Sequence, residues 1–112
     1  MNIPRVRKFR RPKVLFSKAG HGYHPHIVLG ERDGKYLSVN ITHQPSTKFE
    51  DEKYRPNKKL RNNPEVSYMV TGEYYFRDKA LYRPFPNRHF SVSKETKDEA
   101  WKVVKKAKIV RD

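Results

Sequence analysis

The sequence predicts a mainly β fold of the α+β kind: a small, strongly bent antiparallel sheet or barrel with one packed C-terminal helix. Three observations carry this. Leu37, Val39 and Ile41 alternate with Ser38, Asn40 and Thr42, the period of a half-buried strand. Asp33-Gly34 is a reversal signal between two apolar runs. Near the C-terminus, Ala100, Val103, Val104 and Ala107 recur at helical spacing, flanked by Trp101.

In chain order, Val14–Ser17 follows a proline and reads as a first strand, and Ala19-Gly20-His21-Gly22 as turn material. His26–Leu29 is a second strand, Gly30–Gly34 the reversal, and Tyr36–Thr42 the third strand. Residues 43–64 carry three prolines and many charges, and read as a long polar surface loop anchored by Phe49, Tyr54 and Leu60. Strand composition returns over Val66–Phe76. Leu81–Pro86 is interrupted by two prolines, and Phe90–Val92 reads as a short strand. Thr96-x-x-Glu99 matches a capping box and predicts a helix over Lys97–Lys108, with lysines at the negative end of its dipole.

The chain of 112 residues is the size of one domain, 1–112. It carries 26 Lys+Arg against 12 Asp+Glu, a formal net charge of +14. Such a field draws nucleic acid or another polyanion. Arg5, Arg7, Lys8, Arg10, Arg11, Lys13 and Lys18 precede residue 31 without one acid. Residues 1–13 therefore read as a basic N-terminal arm that contacts phosphates. There is no cysteine, which excludes disulfides and thiolate metal sites. No apolar run approaches the roughly 18 residues of a membrane span, and no signal peptide is visible, so a cytoplasmic location is expected.

The densest chemistry lies in HPHIVLGERDGKYLSVNITHQP, residues 24–45. His24 and His43 bracket a hairpin, and Thr42 ends its polar face. Imidazole gives and takes protons near neutral pH. RNA can be cut without metal: the 2′-OH attacks phosphorus, a base removes its proton, an acid protonates the leaving oxygen and cations stabilise the phosphorane. His24, Thr42 and His43 are the candidate catalytic residues. Arg10, Arg11, Lys59, Arg61, Arg77 and Lys79 are the candidate RNA-binding cations. Tyr23, Tyr36 and Tyr54 are candidate stacking platforms for unpaired bases. His21, His24 and His26 form H-x2-H-x-H, but the spacing crosses a strand start and has no carboxylate nearby. No metal site and no cofactor are assigned.

HPHIVL at 24–29, VNITHQ at 39–44, YYFRDK at 74–79 and FSVSKETKDEA at 90–100 follow one another in an order that resembles the PemK/MazF family of toxin endoribonucleases. The resemblance covers about residues 20–108 and extends equally to abortive-infection toxin ribonucleases of similar fold. It implies an SH3-like barrel, usually dimeric, that cuts single-stranded RNA without metal and is neutralised by an antitoxin. Thr42 falls on the family's catalytic threonine. His24 falls where the family has an arginine before the proline, which replaces a permanent bidentate cation by a titratable ring. The basic arm stands where the family opens on "GDI". Two other functions fit the composition: a non-catalytic basic nucleic-acid-binding protein, and a phage-type inhibitor of a nucleoprotein machine.

Overall fold

In a computed structural model, residues 3–19, 22–42, 52–53, 68–84 and 92–111 are described. Three long strands come first: β1 over Arg7–Ala19, β2 over Gly22–Arg32 and β3 over Lys35–Thr42. Two short ones follow, β4 over Glu52–Lys53 and β5 over Tyr68–Met69, and then β6 over Glu73–Asp78. A 3-10 turn at Lys79–Leu81 leads to β7, Tyr82–Arg83. Helix α1 spans Lys94–Lys106, and β8, Lys108–Arg111, closes the described chain. The molecule is mainly β, with a sheet curled into a half-barrel and, among the described residues, one α-helix, as the sequence predicts.

The sheet runs β4-β5-β3-β2-β1-β7, with β6 paired to β3 and β8 to β6. The β2–β3 hairpin turns at Asp33 and Gly34, whose φ values of 51° and 76° are the positive pair that a tight two-residue reversal demands. Alternation puts Ile27, Leu29, Leu37, Val39 and Ile41 on one face. There they pack with Val14, Tyr74 and Phe76 under Ala100, Val103 and Val104 of α1. The sheet is buried on its other face as well. The consecutive β6, 3-10 turn and β7 carry the chain from beside β3 round to β1, and Tyr82 packs there with Phe9 and Val28.

Several elements differ from the sequence reading. β1 begins at Arg7, so the segment read as a basic arm is in large part strand. Its charged side chains hid a strand that needs only alternate residues to be apolar. Between Lys8 and Lys13 it advances five residues while β2 advances two, a bulge that tucks in Phe9 and Pro12 and leaves Arg10 and Arg11 exposed. Gly30 lies beside this irregularity. A Cβ there would come within 2.7 Å of the Arg7 carbonyl oxygen, so only glycine lets β1 approach so closely.

The helix starts three residues earlier than Thr96-x-x-Glu99 implies. Ser93 is its N-cap, and the Ser93 hydroxyl accepts from the Thr96 amide at 3.1 Å. Thr96 is instead buried in the first turn. The helix ends at Lys106, and Lys108, read as its last residue, begins β8, whose pairing with β6 is parallel; the other strand pairs described are antiparallel. The strand expected at Phe90–Val92 and most of the loop at 43–64 lie outside the described residues, apart from Val92 and the short β4. No described helix is long and apolar enough to cross a membrane.

Candidate nucleic-acid interface

Alternation along β2 places His24, His26 and Val28 on the face opposite the helix. His24 is exposed and pairs across the ladder with Ser17 of β1, which pairs on its other side with Tyr82 of β7. The β2–β3 ladder ends on His26 opposite Asn40. His24 and Thr42 each lie two residues beyond that pair, so alternation assigns both positions to one side of the sheet. β3 ends there, with Thr42 opposite Tyr68 of β5. The side chain of Thr42 lies outside what is described, as do His21, His43, Tyr54, Lys59 and Arg61.

His26 is the buried hub of this face. Its Nδ1 lies 2.9 Å from Ser38 Oγ, which lies 2.6 Å from Tyr82 Oη. The ring meets Tyr75 edge-on at 4.7 Å between centroids. Tyr75 in turn donates its hydroxyl hydrogen to Glu73 at 2.5 Å, and burial with this bond pushes the phenol above its ordinary range. Burial lowers the His26 pKa from 6.5 to about 3, and the positive charges of Arg77 and His24 push the same way. His26 is therefore neutral at pH 7 and exchanges no protons there. His24 is the remaining imidazole on this face among the described residues. Ser17 Oγ, His26 Nε2 and Asn40 Oδ1, on three adjacent strands, are buried without a hydrogen-bond partner among the described residues.

The cations divide into two kinds. Arg77 donates from Nη1 to the Lys18 carbonyl at 2.7 Å, and its guanidinium lies 5.9 Å from the Tyr75 ring centroid. That bond ties β6 to the end of the β1–β2 hairpin that carries His24. Beside it, the guanidinium of Arg83 stacks 4.5 Å from the Tyr23 centroid. Lys79 is committed elsewhere. Its ammonium is 2.5 Å from Glu31, which also pairs with Arg7. These partners hold the Glu31 carboxyl down at about 2 and raise the Lys79 pKa. Lys79 also lies 5.2 Å over the Tyr36 ring.

No family model, curated protein or solved structure matches this chain. Its chemistry therefore rests on its own geometry. The structure brings His24 and Arg77 together around His26, puts Arg10 and Arg11 in the distant β1 bulge, and ties Lys79 to an acid. Among the described residues no three His, Asp or Glu gather as a metal-holding group. Sequence reasoning missed Tyr82 and Arg83, because two-residue β7 carries no periodic signal, and with them Ser17, whose place in the site comes from pairing with Tyr82. It also missed the role of His26, although its place two residues from His24 puts both on one face.

Proposed function

We propose that this protein binds single-stranded RNA across the His24 end of the sheet and cuts it without a metal ion, with His24 moving the proton. The supporting observation is that exposed His24 pairs with Ser17 while Arg77, whose permanent charge is held in place, bonds the carbonyl of the next residue, Lys18, and both charges act on the buried His26. In such a reaction the 2′-oxygen bonds to phosphorus and gives up its proton to a base. The P–O5′ bond breaks, and the leaving oxygen takes a proton from an acid. The products are a 2′,3′-cyclic phosphate and a 5′-hydroxyl. His24 supplies one proton-transfer group, and Arg77 faces the charge that builds on the phosphorane. Thr42 and His43 are proposed to complete the set, and Tyr23 with Arg83 to form a platform for an unpaired base.

A second reading, nucleic-acid binding without cleavage, is favoured by the neutrality of His26 and the capture of Lys79 by Glu31. Incubating the purified protein with labelled single-stranded RNA in EDTA separates the two. Cleavage to cyclic-phosphate ends, blocked by a 2′-deoxy substitution at the cut position, supports the enzyme. Intact RNA that is nevertheless retained leaves the binding reading.

A further inference from the structure

The β1 bulge and one stripe of α1 form a second charged surface, away from His24. Lys8 and Arg10 alternate with buried Phe9, and both are exposed. The Lys8 side chain leans toward the helix, and the Arg10 backbone is tied to it. Lys8 Nζ lies 4.8 Å over the Trp101 ring, and Lys97 Nζ donates to the Arg10 carbonyl at 3.2 Å. On α1, Lys94, Lys97, Trp101 and Lys105 follow at spacings of three, four and four, so they share one face. Asp98 borders this stripe on its outer side, while Glu95 and Glu99 fall on the next one, where Glu99 pairs with Lys102 at 3.1 Å. Four lysines, Lys8, Lys94, Lys97 and Lys105, thus share a face with one half-exposed indole, with exposed Arg10 in the adjoining bulge. Lys8 pairs with Gly30 and His24 with Ser17, so the seam sits toward the opposite end of the β1–β2 ladder from the proposed cutting site.

We infer that this seam is a second binding subsite for single-stranded nucleic acid. The cations contact successive phosphates, and Trp101 stacks on an unpaired base that takes the place of the Lys8 ammonium. A flat ring ringed by cations suits a strand whose bases are free to stack; a duplex would offer the seam phosphates alone. The inference rests on the reading that the chain binds single-stranded RNA, and it adds where a strand is held beyond the cut.

Trp101 is the chain's one tryptophan, so its fluorescence reports on this seam alone. An end-labelled oligouridylate is titrated with the full-length protein, following label anisotropy and tryptophan emission together over a series of salt concentrations. The expected result is saturable quenching that tracks the anisotropy. In the variant Lys8→Gln/Lys97→Gln, the log–log salt slope falls by about 1.4, roughly 0.7 for each lost single-strand phosphate contact. Circular dichroism confirms that this surface variant is folded. Binding with unchanged emission and an unchanged slope overturns the seam and leaves the RNA-binding reading standing. Absence of any anisotropy change with the wild-type protein overturns that reading, and the seam with it.

Discussion

Ser38 Oγ lies 2.9 Å from His26 Nδ1, with both side chains fully buried. The polar half of an alternating strand is therefore an interior, and the serine gives a buried imidazole its hydrogen bond. Ser38→Ala removes that partner. An unsatisfied buried polar group costs about 1–3 kcal/mol, and urea unfolding should show a loss in that range. A loss below about half a kcal/mol would mean that the pair does not hold this face together.

The neutrality of His26 fixes the sign of a pH effect. Its pKa falls from 6.5 to about 3 on folding, so below pH 6.5 the unfolded chain binds a proton that the folded chain refuses. Stability then drops as pH falls through the window from 6.5 toward 3, by about 2 kcal/mol between pH 7 and pH 5. Glu31, held at about 2 by Lys79 and Arg7, contributes stability that is lost only below its ordinary value of 4.5. Between pH 7 and pH 5 Glu31 therefore adds little to the change. His26→Gln should flatten the difference. Equal losses in variant and wild type would assign it elsewhere.

Gly30 has no room for a side chain. Its added Cβ would meet the Arg7 carbonyl oxygen at 2.7 Å and Val6 Cγ2 at 2.8 Å. Gly30→Ala must push β1 away from β2, at about 1–3 kcal/mol, the usual cost of overpacking. Thermal unfolding reads this directly, and an unchanged midpoint would contradict so close an approach.

Capping of α1 can be tested by comparing Ser93 with Glu99. Ser93→Ala removes the hydroxyl that accepts from the Thr96 amide and should cost about 1 kcal/mol. Glu99→Ala should lose no more than the few tenths of a kcal/mol of its surface pair with Lys102. The reverse order, measured by chemical denaturation, would restore Thr96-x-x-Glu99 as the cap.

The proposed chemistry ranks two substitutions. His24→Ala should slow RNA cleavage by about 10²–10⁴-fold, the usual contribution of a proton-transfer group. Lys79→Ala should change it by less than about tenfold, because the Lys79 charge is already paired with Glu31. Initial rates on one labelled RNA suffice. A His24 variant at the wild-type rate would remove this residue from the reaction.

Local order determined much of this protein. Period-two alternation at 36–42, Asp33-Gly34 and the apolar stripe of α1 are short-range signals, and the structure carries each one. The basic composition likewise acts without reference to fold, since all seven of the early cations are exposed. Tertiary structure decided the rest. β1 reaches Arg7 because pairing with β2 supplies the backbone hydrogen bonds that its charged side chains do not advertise. β7 has two residues, and β8 follows directly on a helix, so each acquires meaning only from its partner strand. Ser38 and His26 look like surface residues in a period of two. The chain from β6 to β7 crosses their face and takes them out of water, which turns one histidine into a neutral structural group and leaves His24 exposed. Desolvation depends on what lies above a residue, and that is set by segments some forty positions away, as the Ser38–Tyr82 separation of 44 shows.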